Sequence, residues 1–426
     1  MHGALSAVDA GELVARALVS SDIEHAVRSK AAVDVVAVGK AAGPMLSAAL
    51  SGPVRMPIRH AVGVSALAPT DLPAGARWHT ASHPVPDARS VLAAQAVLDI
   101  ASAADDGDVL LLLLSGGGSA LMAMPADGVS LEDKQRACER LLKEGAEIHA
   151  LNTVRKHLSA IKGGQLAAVA GGSVLTLAVS DVVGDDVSVI ASGPSVGDTT
   201  TFADALMQLD RYGGRSGYPE AVVRRFIAGV SGAIQETPQI GDSRLASSDV
   251  HVIGNSRSAV LGASSVAQSL GYVVHVVDEP IVGEARVASQ YFVELASRIA
   301  EVSGSPLCIL AAGETTVRVV GEGKGGRNQE FALAMARRLD VFRSITVAAS
   351  IGTDGVDGPT DAAGGVVDVT TVERAEAAGL GSLDPYLEDN NSYVFLDKLG
   401  DLVRTGPTST NVGDLQVILV GSRAEG

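Results

Sequence analysis

The chain has 426 residues, of which 46% are hydrophobic and 19% charged, which excludes a disordered protein and exceeds what one hydrophobic core usually serves. Its formal net charge of −16 argues against nucleic acid as a partner, because that binding needs a basic surface. The chain has two isolated cysteines and acidic residues near its start, and none of its apolar runs approaches the roughly 20 residues of a membrane span. These features predict a soluble, cytoplasmic protein without a membrane partner.

Short apolar runs bounded by glycine, serine or aspartate recur along the chain and predict strands buried on both faces. They are Val33–Val38, Val109–Leu114, Val174–Val179, Val252–Ile253, Val273–Val277, Cys308–Ala312, Ile345–Ile351 and Leu415–Val420. Helix patterns lie between them, such as Leu131–Lys143 with Ser130 as its N-cap, and Gln329–Leu339. This alternation predicts an α/β fold with parallel strands.

The stretch Asp210–Ser248 lacks a strong strand pattern and contains several glycine, proline and aspartate turn signals. We therefore expect the chain to divide there into two domains. The predicted boundary gives a first domain over residues 1–240 and a smaller second domain over residues 241–426.

The turn Ser115-Gly116-Gly117-Gly118-Ser119 directly follows the buried run Val109–Leu114. Three residues without a Cβ allow backbone N–H groups to converge on an anion, especially if a helix begins there. A tight strand-to-helix turn without a ligand is the alternative, and the two flanking serines favour phosphate. The common phosphate-binding loop GxxxxGK[ST] is absent from the chain, so the P-loop kinase mechanism is not supported.

The segment Asn152–Gly164 concentrates cationic side chains in an acidic protein. If Asn152 caps a helix that Gly163 ends, Arg155, Ser159 and Lys162 fall on one face of that helix. This face is either an anion pocket or a solvated basic surface, and the spacing does not separate the two.

Two further basic residues and one amide are candidates. Lys40 follows the strand pattern Val33–Val38, at the end of the sheet where open α/β proteins bind ligands, although a solvated surface lysine is the alternative. Arg327 opens the second predicted helix, where it would bind phosphate or carboxylate or form a surface ion pair. Asn411 ends a polar loop that either binds a polyol or caps a turn.

Four carboxylates follow predicted strands and form a candidate metal set. They are Asp181, Asp185, Glu314 and Asp354. Carboxylate oxygens at strand ends suit Mg²⁺, which usually shares its ligands with the phosphates of a nucleotide. Turn formation by Asp-Gly pairs is the alternative for each of them.

The segment Gly321–Gly326 matches GxGxxG, the pattern of dinucleotide-binding turns, and lies between the strand-like Val317–Val320 and a predicted helix. The bulky charged residues Glu322 and Lys324 between the glycines do not suit a close-packed pyrophosphate turn. The pattern alone is weak support for a dinucleotide site.

Taken together, these segments resemble the glycerate 2-kinase family, in which an N-terminal glycerate kinase domain precedes a C-terminal MOFRL domain. The resemblance covers nearly the whole chain and is carried by Val38–Ala41, His83–Asp87, Leu114–Ser119, Asn152–Gly164, Ser180–Pro194, Gly325–Glu330, Gly352–Gly365 and Thr405–Asn411. It implies a Rossmann-like first domain with a mainly parallel sheet, a smaller second domain with a mixed sheet, and an active-site cleft between them.

The resemblance also implies an activity. The expected reaction is transfer of the γ-phosphoryl group of ATP to the 2-hydroxyl of D-glycerate, giving 2-phosphoglycerate and ADP, with Mg²⁺ or another divalent cation. Lys40 and Arg327 would stabilise the transferring phosphoryl group or bind the substrate carboxylate. The alternatives are an NAD(P)-dependent hydroxypyruvate reductase and a non-catalytic ligand sensor. A homodimer is one assembly that the sequence leaves open.

Overall fold

The computed structural model describes residues 1–303, 306–342 and 344–421. Two compact units divide the chain: one is Ala10–Ile253, and the other combines Met1–Asp9 with the residues from Gly254 onward. The domain boundary predicted after residue 240 stays a prediction, as does the cleft predicted between the domains. The last strand of the first sheet, Ser248–Gly254, lies on the C-terminal side of that predicted boundary.

The helices and strands up to residue 254 are α1 (His2–Ala7), α2 (Ala10–Leu18), α3 (Ser21–Arg28), β1 (Val33–Val38), α4 (Ala42–Ser51), β2 (Ile58–Ser65), β3 (Arg77–Thr80), α5 (Ala88–Ser102), β4 (Val109–Leu114), α6 (Gly118–Leu121), α7 (Leu131–Lys143), α8 (Ile148–His157), α9 (Gln165–Val169), β5 (Ser173–Val179), α10 (Phe202–Arg211), α11 (Glu220–Val230) and β6 (Ser248–Gly254). Short 3₁₀ turns cover Ile190–Ser192, Arg215–Gly217 and Ser243–Leu245.

The remaining elements are α12 (Ser256–Ser269), β7 (Val273–Val276), β8 (Ile281–Glu284), α13 (Ala285–Val302), β9 (Leu307–Thr316), α14 (Arg327–Ala336), β10 (Thr346–Gly352), β11 (Gly364–Asp368), α15 (Thr371–Ala377), α16 (Asp384–Glu388), α17 (Ser392–Leu399), β12 (Leu402–Val403) and β13 (Asp414–Val420). A further 3₁₀ turn covers Leu339–Val341.

The sheet of the first unit has the order β3-β2-β1-β4-β5-β6, and the pairings among β1 to β5 are all parallel. Every residue of β1 and β4 is buried, because helices cover both faces of a parallel sheet. This strand order is that of Rossmann folds. The α/β class and the parallel first sheet are therefore confirmed.

The sheet of the second unit is mixed, with the order β12-β11-β10-β13-β9-β7 and with β8 paired to β9. The pairings of β13 with β9 and β10 are antiparallel, whereas β7 and β8 pair in parallel with successive halves of β9. Phe292, Phe331 and Phe395 are fully buried in its core. The predicted mixed sheet is confirmed.

The N-terminal helix α1 packs against α12 of the second unit. A Cβ on Gly262 would lie 2.2 Å from the carbonyl oxygen of Gly3, so the two backbones approach each other where a larger residue would not fit. At the end of the same segment, the hydroxyl of Thr410 donates to the carbonyl oxygen of Val8 at 2.7 Å. Residues 1–9 are thus structural parts of the second unit.

Of the two helices predicted by range, one has the predicted bounds in the structure and the other does not. α7 has the predicted range, and Ser130 and Asp133 form a capping box at its start. The second begins at Arg327 and ends at Ala336, rather than covering Gln329–Leu339. None of the helices in the described part of the chain is long and apolar enough to cross a membrane.

Candidate active site

The first group of candidate residues lies where the strand order of the first sheet reverses. The chain moves outward from β1 through β2 and β3 on one side, and through β4 and β5 on the other. In open α/β sheets, ligands bind beyond the carboxyl ends of the strands at such a point. Lys40 follows β1, and the turn Ser115–Ser119 follows β4. The N–H of Lys40 donates to the carbonyl of Gly116 at 2.9 Å, so the fold brings these predicted segments together.

Glycine is required at two positions of this arrangement. Gly39 has a φ of +130°, and a Cβ there would lie 2.2 Å from Oγ of Ser115, whose hydroxyl accepts the N–H of Ala41 at 3.0 Å. Gly117 has a φ of +87°, and a Cβ there would lie 3.1 Å from Cδ2 of His83. The glycine turn is therefore shaped both by its own conformation and by the imidazole that covers it.

Lys162 binds the C-terminal end of the glycine turn. Its Nζ donates to the carbonyl oxygen of Ser119 at 2.7 Å and to the Ser119 hydroxyl at 2.9 Å. Only 1% of Lys162 is exposed. Burial, followed by repulsion from Lys134 and Arg155, holds the pKa of the Lys162 ammonium well below its ordinary value.

A cavity of about 430 Å³ opens beside the turn, and Gly117, Ser119, His83 and Lys162 line it. Two further cations, Lys134 and Arg155, also line it, as do Gln135 and Glu139. Burial lowers the pKa of Lys134 to about 8, and burial together with Lys40 lowers that of His83.

Of the three cations of this cavity, Lys134 and Lys162 are buried and Arg155 is half-buried. Within the described residues, none of Lys134, Arg155 and Lys162 forms an ion pair with a carboxylate. Glu139 also borders the cavity, but it pairs with Lys143 at 2.8 Å. Because buried charges without a partner are unfavourable, the site is electrostatically suited to an anion.

The prediction of a helix from Asn152 to Gly163 is wrong. α8 covers Ile148–His157, so Asn152 lies within the helix. Ser159 and Lys162 lie beyond its end, because the Ser159 hydroxyl accepts the N–H groups of Ile161 and Lys162 at 3.2 and 3.3 Å and turns the chain. Arg155 and Lys162 nevertheless line the same cavity, through this turn instead of through a shared helical face.

Ser192 belongs to the site and was missed from the sequence. Its hydroxyl lies 2.8 Å from Oγ of Ser119 and donates to Oδ1 of Asn152 at 3.1 Å. Ala191 and Ser192 have φ values of 50° and 61°, and Gly193 follows with 62°. Non-glycine residues in this region carry strain and cluster at functional sites. The only signal in the sequence was the Ser-Gly-Pro turn itself.

The second group of candidate residues lies at the start of α14, in the other unit. Arg327 contacts Glu314 through Nη1 at 2.8 Å and Asp414 through Nη2 at 2.9 Å and Nε at 2.8 Å. The Asp414 side chain is fully buried. Burial raises the pKa of Asp414, although Arg327 opposes this shift. Arg327 is therefore the counter-ion of a buried carboxylate as well as a candidate ligand-binding cation.

Asp357 completes this network by capping α14. Its carboxylate accepts the N–H groups of Asn328 and Gln329 at 3.1 and 2.8 Å, which are among the donors that a helix start leaves without partners. Burial raises the pKa of Asp357 to about 6. Asn328 also donates to Asp414 at 2.9 Å. Asp414 was not predicted from the sequence.

The predicted metal set does not form one cluster within either unit. In the described ranges 1–303, 306–342 and 344–421, no group of three or more His, Cys, Asp or Glu side chains could hold a metal ion. Asp181 and Asp185 follow β5 in the first unit, whereas Glu314 and Asp354 lie in the second, where Glu314 pairs with Arg327. Mg²⁺ accepts one or two carboxylates together with phosphates, so a metal role for these residues stays a prediction.

Asn411 lies in a loop that is anchored on both sides. Oδ1 of Asn411 accepts the N–H of Gly413 at 3.4 Å. The Thr408 hydroxyl donates to the carbonyl of Thr353 at 2.6 Å, and that of Thr410 donates to Val8. A substrate-binding role for Asn411 stays a prediction.

The GxGxxG segment has no dinucleotide-binding geometry. It lies in a loop between β9 and α14, and residues 317–320 are not a strand. The N–H groups of five successive residues, 320 to 324, donate to the segment Asp389–Asn391. Because a pyrophosphate turn needs amides that point at the ligand, this loop is a structural contact.

Comparisons with known proteins agree with this architecture. Residues 1–227 match the family described as "Domain of unknown function (DUF4147)", and residues 307–414 match the MOFRL family. The crystal structure of a glycerate kinase from Thermotoga maritima superposes with a TM-score of 0.84 at 38% identity, covering 98% of this chain and 99% of that one.

Sequence relatives cover most of the chain and carry two different names. A D-glycerate 2-kinase from Thermotoga maritima is 41% identical over 398 residues, which are 91% of this chain and 90% of the relative. A glycerate 2-kinase from Pyrococcus horikoshii is 39% identical over 80% of this chain and 78% of the relative. A protein from Agrobacterium vitis with a provisional hydroxypyruvate reductase name is 37% identical over 91% of this chain and 87% of the relative. The chain therefore belongs to the glycerate 2-kinase family of phosphotransferases, with a C-terminal MOFRL domain.

Proposed function

We propose that the protein transfers the γ-phosphoryl group of ATP to the 2-hydroxyl of D-glycerate, forming 2-phosphoglycerate and ADP. The observation that supports this most strongly is the cationic cavity at the reversal of the strand order. There Lys134, Arg155 and Lys162 line one cavity with Gly117 and Ser119 of the turn, and none of the three cations has a carboxylate partner among the described residues. A polyphosphate supplies the missing negative charge.

Phosphoryl transfer depends mainly on alignment and on neutralising charge on the transferring group. In this proposal Lys162 and Arg155 neutralise phosphate oxygens, and Ser119 is held in place by Lys162 and Ser192. Lys40, at the end of β1, and Arg327, at the start of α14, act as further cations toward the phosphoryl group or the glycerate carboxylate.

A divalent cation such as Mg²⁺ supplies additional charge neutralisation when it binds with the nucleotide. Among this chain's residues, Asp181, Asp185, Glu314 and Asp354 are the proposed ligands. Glu314 would have to exchange its contact with Arg327 for the metal.

The test of this proposal measures ADP release from ATP with D-glycerate, with and without Mg²⁺. The position of the new phosphate is read by adding enolase, which accepts 2-phosphoglycerate directly but needs a mutase to use 3-phosphoglycerate. We expect metal-dependent ADP release and a product that enolase consumes without the mutase. A mutase requirement would overturn the 2-hydroxyl assignment.

The hydroxypyruvate reductase alternative is tested in the same preparation, because relatives carry that name. The assay follows NADH or NADPH oxidation with hydroxypyruvate. Oxidation of the cofactor without any glycerate-dependent ADP release would overturn the kinase proposal. Silence in both assays, with thermal stabilisation by ATP or D-glycerate, would instead identify a sensor.

A further inference from the structure

The cavity beside the glycine turn has chemically different ends. Lys134, Cys138 and Leu142 all line it and lie four residues apart on α7, so they form one stripe along the helix. Lys134 and Leu142 are two turns apart, roughly 12 Å along the helix axis. Lys162 and Arg155 interact electrostatically with Lys134. The cations therefore lie together at one end of the stripe, and an apolar side chain marks the other.

The apolar end is partly open to solvent. Leu142 and Val85 both line the cavity, and they are 57% and 58% exposed. Pro84 and Pro86 flank Val85, and Ala120 lies on the same lining. Large apolar side chains that are exposed around a concave site favour a ligand with a flat apolar group.

The size of the cavity favours one of the two substrates of the proposed reaction over the other. A volume of about 430 Å³ is in the range of pockets that enclose drug-sized ligands, whereas glycerate is a three-carbon acid without an apolar group. A purine nucleoside with phosphates carries an apolar ring at one end and negative charge at the other. It matches both the volume and the order of the lining residues along α7.

We propose that this cavity binds the adenosine part of the nucleotide, with the base against Leu142 and Val85 and the phosphates directed to Lys134, Arg155 and Lys162. The inference rests on the proposed kinase function and adds to it the substrate that occupies the cavity. D-Glycerate then binds outside the cavity. His83, which covers Gly117 and lines the cavity, stays neutral at pH 7 because its pKa is lowered.

Cys138 reports occupancy of this cavity. It lines the cavity and is partly buried, whereas the other cysteine, Cys308, is 1% exposed. Burial raises the pKa of Cys308 to about 11, so alkylation at pH 8 should select Cys138. The experiment measures the rate of iodoacetamide modification of Cys138 in the full-length protein by peptide mass spectrometry, with Cys138→Ser as the control for site assignment.

We expect ADP, at a concentration about ten times its Kd, to slow the modification about tenfold. D-Glycerate should leave the rate within a factor of about two, because it binds outside the cavity. Protection by D-glycerate alone, or none by ADP, would overturn the adenosine assignment.

A second measurement does not depend on thiol reactivity. Leu142→Glu places a carboxylate at the apolar end of the cavity, and Met207→Glu is its matched control because Met207 is 56% exposed on α10 and does not line the cavity. We expect L142E to raise the KM for ATP about tenfold, as loss of one apolar contact predicts, with little change in the KM for D-glycerate. Equal KM values for ATP in the two variants would contradict the inference.

The two proposals fail in distinguishable ways. If ADP protects Cys138 but no glycerate-dependent ADP release occurs, the kinase proposal fails while the nucleotide cavity stands. If the protein turns over ATP and D-glycerate but neither Cys138 protection nor the L142E effect on ATP is seen, the cavity inference alone fails.

Discussion

Arg327→Met removes the cation that neutralises the buried Asp414. Arg327 reaches both carboxylate oxygens of Asp414 and one of Glu314. After the substitution, Asp414 retains the hydrogen bond from Asn328 at 2.9 Å but has no charge partner in the described structure. Simple loss of turnover in this variant therefore cannot be attributed to chemistry unless its folding is measured as well.

The expected loss of stability follows from the burial of the pair. Breaking a buried ion pair by removing one partner costs about 3–5 kcal/mol. Arg327 itself is 32% exposed, so we expect the lower end, about 3 kcal/mol, which corresponds to a fall in Tm of roughly 6–12 °C for a domain of this size class. Arg337→Met is the matched control, because the pair of Arg337 with Asp384 at 2.6 Å is exposed on both sides and should contribute less than about 1 kcal/mol.

The double variant R327M/D414N separates stability from activity. Removing the stranded charge should restore about 2 kcal/mol of the lost stability, whereas turnover should stay at least about 100-fold below wild type if Arg327 stabilises the transferring phosphoryl group. The assay combines denaturant unfolding with ADP release under saturating substrates. Wild-type turnover in the double variant would show that Arg327 has only a structural role.

The pH dependence of the single variant gives a further check. Burial already raises the pKa of Asp414, and losing Arg327 raises it more. A carboxyl whose pKa is raised on folding contributes stability at low pH that is lost as pH rises. The R327M variant should therefore be less destabilised at pH 5.5 than at pH 8, and an equal loss at both would refute the reasoning.

Three other predictions follow from single side chains. The free energy of unfolding of Asp357→Asn should increase relative to wild type as pH rises from 4 to 7, because the pKa of Asp357 is raised to about 6 and its protonated form is favoured on folding. A pH-independent difference between the two proteins in denaturant unfolding would contradict this. Lys134→Met should raise Tm at pH 7 but not near pH 10, because the pKa of Lys134 is lowered to about 8 and the cost of its buried charge disappears on deprotonation. An equal gain in Tm at both pH values would contradict this explanation. Gly117→Ala and Gly145→Ala should each lower the free energy of unfolding by about 1 kcal/mol, because each places an alanine in a left-handed conformation. Only G117A should lower turnover, because a Cβ at position 117 meets His83 whereas one at position 145 meets nothing within 4 Å. Equal turnover in the two variants would show that the glycine turn is not part of the site.

The sequence predicted those strands whose apolar residues are continuous. β1 and β4 have the predicted bounds, and β5 begins one residue earlier, because strands buried on both faces must be apolar throughout. β3, with the sequence RWHT, pairs with β2 at the edge of its sheet. An edge strand buries less surface, so its sequence carries no such pattern.

The errors in the site have two physical origins, which are local competition for backbone amides and long-range contacts. α8 ends early because Ser159 captures two backbone amides, a local competition that helix periodicity does not reveal. Lys134 follows two acidic residues in an amphipathic helix and resembles a solvated side chain, yet it is 3% exposed. Asp414 is 87 positions from Arg327 in the chain, so only the folded sheet brings the two together.

The assignment of residues 1–9 to the second unit makes the first unit an insertion within it. The chain leaves the second unit after Asp9 and returns at Gly254. During synthesis the inserted unit emerges complete before α12, the partner of α1, has been made, and domains generally fold as they emerge. Helix α1 must therefore wait for α12, which begins only at Ser256, and a fragment beginning at Gly254 would expose the face of α12 that Gly3 covers.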